Sequence, residues 1–366
     1  MKKVVLSILI LTISLYSFGQ TRLQPGFDAE EYRMMLRLAE RQIDSLEFPY
    51  KLDYPIGYQR VYQSEIVGLD NRWSLWVNKS KGQLVVCIRA TTMSSESWLE
   101  NFYSGMIPAK GKLKIDSSGY FNYKVADDST AYVHAGWMIG TAALAPDIVS
   151  KLREYYDMGY RNTIIFGHSQ GGGIAFLVRS YIEYMDSPLP PDMLLKTYCS
   201  AAPKPGNLYY AYDFDRITFG GWGLRVVNTL DWVPEVPFGI QSLNDANEIN
   251  PFANVNEAFK TIPVYQKIYL KSIYRKLDKS TMKAQKRYTK YMGIRTYELV
   301  KSYLPESEIP EFTGSYSYIT AGTPVILRPG QAYLENYVPS ARQNIGLHHF
   351  FYPYYLVSLE VFPERD

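Results

Sequence analysis

Between Asn162 and Tyr184 the chain must pass from a buried strand into a helix with almost no connecting residues. Asn162-Thr-Ile-Ile-Phe is a short run of β-branched and aromatic side chains, the pattern of a strand covered on both faces. Gly167-His168-Ser169-Gln170-Gly171 follows directly, and a helical pattern runs from Gly171 to about Tyr184. A reversal this sharp strains the central residue, and small residues at 167 and 171 let strand and helix approach without clashing. The result is a serine presented at the tip of a tight turn. The helix that follows aims its N-terminal amides at any oxygen on which charge develops.

A serine hydroxyl is a weak nucleophile until a histidine removes its proton, and the histidine must be oriented by a carboxylate. The chain has only four histidines, His134, His168, His348 and His349. Where a strand–serine–helix turn of this kind carries a triad, the order along the chain is serine, acid, histidine. His134 precedes the serine and His168 is held inside the turn with its ring directed away, which leaves His348 and His349. For the acid, Asp231 stands in the loop leaving the apolar segment Leu224–Asn228, where a carboxylate can reach an imidazole. Glu235, four residues on, is a weaker rival, and Asp213 and Asp215 read as loop-capping residues.

The surrounding segments alternate strand and helix. Tyr58–Leu69 and Ser74–Val77 read as two early strands around Asp70-Asn71, and Gln83-Leu-Val-Val-Cys-Ile-Arg as a buried strand. Val133–Glu154 reads as a long helix that Pro146 kinks or splits, and Leu194–Cys199 and Leu224–Asn228 as further strands. A helix follows Phe27, with Asp28 at its N-cap. The expected class is therefore α/β, a mainly parallel sheet with helices on both faces. Between Pro237 and Ile319 the alternation breaks. Residues 260–301 carry twelve Lys or Arg against only Asp278 and Glu298, interleaved with tyrosines. We read 239–318 as a basic, tyrosine-rich helical insertion, suited to cover a site as a lid or cap or to touch an anionic membrane or lipid surface through 260–301. Tyr316-Ser-Tyr-Ile and Pro324-Val-Ile-Leu read as strands returning to the sheet.

Composition narrows the remaining choices. Lys and Arg total 39 against 36 Asp and Glu, a formal charge of +3, and nothing in that balance argues for a nucleic-acid partner. Cys87 and Cys199 are the only cysteines, which excludes a disulfide-stapled scaffold and any cysteine-cluster metal site. Both are expected to be buried thiols on strands flanking that of Ser169. The first nineteen residues, with Lys2-Lys3 before an apolar run from Val4 to about Leu15, read as a secretory signal peptide. Residues 20–366 then form the exported protein, periplasmic or extracellular. Oligomeric state cannot be read from the sequence.

Four segments in order resemble the lipase class 3 family, the fungal-lipase-like branch of the α/β-hydrolases. Val85-Val-Cys-Ile-Arg-Ala-Thr91 is similar to the family's strand ending in Phe-Arg-Gly-Thr or Phe-Arg-Gly-Ser. Val133-His-Ala-Gly-Trp137 resembles its Val-His-x-Gly-Phe segment. Ser200-Ala-Ala-Pro-Lys-Pro-Gly-Asn207 resembles its Gly-Ser-Pro-x-x-Gly-Asn segment, with Cys199 where glycine is usual. Asn228-Thr-Leu-Asp231-Trp-Val-Pro resembles its Asn-x-x-Asp-x-Val-Pro segment.

The resemblance implies the α/β-hydrolase fold, a Ser169–Asp231–His349 triad and an oxyanion hole formed by the N–H groups of Thr91 and Gln170. Gly167, His168 and Gly171 complete the elbow, and His134 is expected to be structural. The family's histidine is often followed closely by a tyrosine, which favours His349, with Tyr352 and Tyr354 after it, over His348 as the alternative. Ala90 departs from the family glycine, and the 117 residues between Asp231 and His349 exceed the compact form. The implied activity is hydrolysis of carboxylic esters, of lipids or smaller esters, with no cofactor and no metal. Phospholipase, carbohydrate or aryl esterase and acyltransferase are alternatives on the same fold, and a non-catalytic surface binding protein is the alternative of another class.

Overall fold

The computed structural model describes residues 22–42, 51–247, 249–250, 260, 262–341 and 344–364; the leader expected at 1–19 lies outside the described residues. Helix α1, Ala29–Glu40, starts where the sequence predicts, and the Asp28 carboxylate accepts the Glu31 N–H at 2.9 Å. Strands β1 (Gln59–Gln63), β2 (Trp73–Asn78) and β3 (Gln83–Ile88) follow as an antiparallel run. β1 stops earlier than its apolar pattern because Ser64 and the turn around Asp70 take over the pairing. The Ser64 hydroxyl accepts the Trp73 N–H at 3.1 Å, and Val67 and Asn71 exchange backbone bonds.

Helix α2 (Ser95–Phe102) leads into β4 (Met106–Pro108), the hairpin of β5 (Lys110–Asp116) and β6 (Gly119–Lys124), and β7 (Tyr132–His134). Helix α3 is Ala135–Asp157, β8 is Asn162–His168, α4 is Gln170–Tyr184 and β9 is Leu194–Ser200. Then come α5 (Leu208–Ile217) and β10 (Gly223–Asn228). The insertion holds α6 (Val264–Tyr288), a π-helical turn over Thr289–Arg295 and α7 (Thr296–Tyr303). Strand β11 (Thr323–Leu327), α8 (Gln331–Ala341) and α9 (Phe351–Val361) end the described chain.

Seven strands form one sheet in the order β1-β2-β3-β8-β9-β10-β11, and every pair from β3 onward is parallel. This is the α/β-hydrolase architecture, with β8 near the middle of the sheet. Each central strand is apolar throughout, yet its residues alternate between two cores. Leu84, Val86, Ile88 and Ile165 pack with α3 and α4, whereas Val85, Cys87, Ile164 and Phe166 pack with α1 and α9. Cys87 and Cys199 lie on β3 and β9, either side of β8, as free buried thiols.

Three local expectations are corrected. The segment from Val133 does not begin as helix: residues 132–134 pair with β4, and His134 caps α3 by accepting the Trp137 N–H at its Nδ1. Of the two outcomes expected at Pro146, the split does not occur, since α3 runs on to Asp157. Buried Ala142, Ala145, Ile148 and Val149 anchor the helix on both sides of it, and this packing outweighs one lost backbone bond. Tyr316–Ile319 is not a strand but makes single bridges to Ile240 and Gly206. Its side chains are used instead: Tyr316 and Tyr318 are buried with Met106, and the Ser315 hydroxyl reaches Asp245.

Helices α2 and α3 approach so closely at Gly136 that an added Cβ would lie 2.0 Å from the Glu100 carbonyl oxygen. Gly136→Ala should cost about 1–3 kcal/mol or more, read as a lowered urea midpoint with an unchanged denaturant slope.

Candidate active site

Ser169 sits between β8 and α4 with φ 59° and ψ −128°, a left-handed backbone that serine adopts only under constraint. A Cβ on Gly167 would lie 1.9 Å from the Gly171 carbonyl oxygen, and one on Gly171 would lie 2.5 Å from that of Ile88. No side chain fits at either position, so both glycines are required by space. The Ser169 N–H donates to the Ser200 carbonyl at 2.9 Å, which ties the turn to β9.

The hydroxyl is 2.8 Å from His349 Nε2, and His349 Nδ1 is 2.8 Å from Asp231 Oδ2. The Asp231 carboxylate is buried and has two further donors. The Val233 N–H donates to Oδ1 at 3.0 Å, and the Tyr354 hydroxyl donates to Oδ2 at 2.7 Å. His348 is turned elsewhere, its Nδ1 2.8 Å from the Tyr333 hydroxyl. Glu235 lies in the 3-10 turn Val233–Glu235 beyond Asp231 and makes no side-chain bond to a histidine among the described residues.

The ring of His168 faces away from Ser169, as expected, but it has work of its own. Its Nε2 is 2.7 Å from the His349 carbonyl oxygen, its Nδ1 is 3.0 Å from the Ser200 hydroxyl, and that hydroxyl is 2.7 Å from the Tyr32 hydroxyl. Burial holds this imidazole down to about 3, with the neighbouring His349 adding to the shift, so the ring is neutral. A carbonyl can only accept, so the proton is on Nε2; Ser200 must then donate to Nδ1, and Tyr32 to Ser200. This chain of donors runs from α1 through β9 to the backbone of His349. Nothing in the local sequence announces it, because its members lie at positions 32, 168, 200 and 349.

On the other side of Ser169 stand Thr91, in the loop after β3, and Gln170, the first residue of α4. Neither backbone N–H has a hydrogen-bond partner among the described residues, and both residues line the same cavity as Ser169. Ala90 does not have a left-handed φ, so the added methyl at the family's glycine position carries no backbone strain. The loop is pinned from below by Asp70, which accepts from Arg89 at 2.6 Å, from Ser94 at 2.7 Å and from the Thr92 hydroxyl. These partners hold its carboxyl below the ordinary value despite burial.

Helix α2 supplies the rest. Ser97, Glu100 and Asn101 share one face at helical spacing and converge on the Gln170 side chain. Gln170 Oε1 accepts from Ser97 Oγ at 3.0 Å and from Asn101 Nδ2 at 3.2 Å, and its Nε2 donates to Glu100. Asn101 Nδ2 also reaches the Thr91 hydroxyl at 3.1 Å, and Trp137 Nε1 donates to Asn101 Oδ1 at 3.1 Å. One amide thus joins the two residues whose N–H groups are open. The 97, 100, 101 spacing was visible in the sequence, but nothing there identified its target.

A cavity of about 750 Å³ opens over Ser169 and His349. Its walls are mainly apolar and come from the α2 region, the loop after β10, the Tyr288–Met292 end of the insertion and the segment before α9. Met93, Trp98, Phe102, Phe238 and Ile345 line it and are also exposed, so the rim is apolar as well as the wall.

The strand order and the serine turn define an α/β-hydrolase. The family model for Lipase (class 3) matches residues 85–240, from β3 through the loop that carries Asp231. That stretch is similar to the lipase class 3 family, whose model it matches over somewhat less than half of the chain. No curated protein matches the sequence. Among solved structures, the chain is similar to the Lip2 lipase from Yarrowia lipolytica, at 20% identity over 60% of this chain and 78% of that one, with a TM-score of 0.42. It is also similar to a triacylglycerol lipase from Penicillium expansum, at 18% identity over 58% and 75%, TM-score 0.40. A third is the Rhizomucor miehei triacylglyceride lipase, at 15% identity over 58% and 77%, TM-score 0.41.

Two consequences of this geometry can be measured. Glu100 is fully buried, and burial above all, with the like charge of Asp70 adding to it, raises its carboxyl well above the ordinary 4.5. The folded protein therefore keeps a proton that the unfolded chain loses above that value, and stability falls as pH rises through the window. Glu100→Gln removes this contribution, so its urea midpoint should gain on the wild type steadily between acid and alkaline pH. Replacing His168 by Phe frees the His349 backbone, and kcat on a soluble ester should fall about 10–100-fold with KM little changed. His168→Gln keeps a donor and should recover part of the loss.

Proposed function

We propose that this protein is a serine carboxylic-ester hydrolase acting on esters with an apolar acyl group, lipids foremost. The observation that carries the reading is the continuous series of hydrogen bonds from Ser169 through His349 to the buried Asp231, each 2.8 Å. His349 Nε2 takes the hydroxyl proton as Ser169 Oγ attacks the ester carbonyl carbon. Asp231 keeps the imidazole in the tautomer that presents Nε2 and favours its charged form. Charge moves onto the carbonyl oxygen, where the N–H groups of Thr91 and Gln170 receive it. As the tetrahedral intermediate collapses, His349 returns the proton to the departing alkoxide and an acyl-Ser169 ester remains. Water, deprotonated by the same histidine, then releases the acid.

The apolar wall and rim of the cavity support a hydrocarbon acyl chain, since burial of each methylene favours binding by about 0.8 kcal/mol. The similarity to lipases of class 3 supports a lipid ester, and the signal-peptide pattern of the first nineteen residues supports export to meet it. Tyr354 is a positioning residue whose hydroxyl supplies Asp231 with a donor in place of water.

Hydrolysis of chromogenic esters from two to sixteen acyl carbons tests the reading. Ser169→Ala and His349→Ala should each lose about 10⁴-fold or more in kcat, and Asp231→Asn about 10³–10⁴-fold. His348→Ala should stay near wild type. An optimum at medium or long chains is expected. Activity that survives Ser169→Ala, or no turnover and no labelling of Ser169 by a fluorophosphonate, would overturn it.

A further inference from the structure

Helix α6 is 25 residues long and buries only Gln285. Its body side carries residues such as Leu270, Tyr274, Asp278, Thr281 and Tyr288, all partly covered, and Asp278 accepts the Leu243 N–H there. At 100° per residue, Val264, Tyr265, Ile268 and Tyr269 project into a common outward arc of roughly 140°. They are 73%, 71%, 64% and 67% exposed, values unusual for four large apolar side chains on adjacent turns. Three turns further on, the same arc carries Arg275, Lys276, Lys279, Lys283, Lys286 and Arg287, all exposed. The whole helix has eight Lys or Arg against the single Asp278.

The outward face is therefore divided along the helix axis, not around it: an apolar tip, then a cationic shaft. At the shaft's base, Tyr288 and then Met292 of the π-helical turn form part of the cavity wall. One continuous helical element joins the exposed tip to the place where ester substrate would lie.

We propose that α6 docks the protein on a bilayer bearing anionic headgroups, the tip entering the acyl boundary and the shaft lying against the phosphates. Charge complementarity selects this occupant. Each Lys or Arg near a negative bilayer contributes about 1 kcal/mol of attraction, and apolar side chains at the tip have a solvent only in lipid. A soluble polyanion would satisfy the shaft and leave the tip in water. Docking obliquely through the tip keeps the apolar cavity rim near the surface, where long-chain esters are found. The proposal deepens the reading as a lipid-ester hydrolase and rests on it for substrate, but its test is independent of turnover.

The experiment measures flotation of full-length Ser169→Ala protein with vesicles of phosphatidylcholine alone or with 30% phosphatidylglycerol. Partition should be about tenfold or more stronger on the anionic vesicles and should fall with added salt. Reversal of Lys276, Lys279, Lys283 and Lys286 to Glu should abolish that preference. Ile268→Ser with Tyr269→Ser should weaken binding at every salt concentration. On the Ser169 background, both sets should hydrolyse a soluble butyrate ester at the wild-type rate, which shows that they fold and separates this proposal from the catalytic one. Equal partition on neutral vesicles, no partition, or partition unaffected by the reversals would overturn it. So would equal binding to a soluble polyanion with no effect of the tip changes.

Discussion

The rest of the site depends on a turn that no relaxed chain would adopt. Ser169 is held at a left-handed backbone angle costing about 1–3 kcal/mol, because β8 is anchored in core on both faces and α4 is packed along its length into one of those cores. Gly167 and Gly171 touch at a distance that excludes even a methyl group. Strain of this kind has a purpose only if the strand cannot shift. The parallel pairing of β8 with β3 and β9 along its length makes shifting costly. The serine is thereby lifted out of the sheet with its hydroxyl toward the cavity and its N–H tied to β9.

Around that fixed point the two halves of the site are held by different means. The His349–Asp231 half comes from distant loops and is clamped by buried polar chains. Tyr354 and the Val233 N–H hold the carboxylate, and Tyr32, Ser200 and His168 hold the backbone of His349. The opposite half, with Thr91 and Gln170, is local and rests on one helix face, Ser97 to Asn101, braced by Trp137. Both arrangements replace water with fixed donors in a low-dielectric interior, where orientation is worth more than additional charge.

The insertion answers to a different balance. The apolar and cationic residues on the outward face of α6 are not absorbed by the core, while at its far end Tyr288, with Met292 of the π-helical turn, enters the cavity wall. Helix α6 is therefore held by its base and by contacts of one side, while its outward face is left to solvent or to a partner. The sequence pattern of twelve cations among tyrosines marked the segment as unusual. Its division into an apolar tip and a basic shaft becomes visible only when the phase of the helix relative to the body is known.

Local pattern determined most of the frame. Short β-branched runs and the Gly-His-Ser-Gln-Gly turn were legible because each is set by neighbours within a few residues. The pattern failed where distant packing overrode it, as when core contacts carried α3 through Pro146 and when Tyr316–Tyr318 spent their side chains on a small cluster rather than a ladder. From residue types alone His348 and His349 are equivalent, being adjacent in the chain. Tertiary structure separates them, since the turn before α9 directs one ring to Ser169 and the other to Tyr333. The same holds for His168, Glu100 and Asn101, which meet His349, Gln170 and Trp137 across 36 to 181 positions. Sequence could specify which groups this protein has for its chemistry. Only the folded sheet, by bringing remote segments within hydrogen-bonding distance, decided which of them face one another.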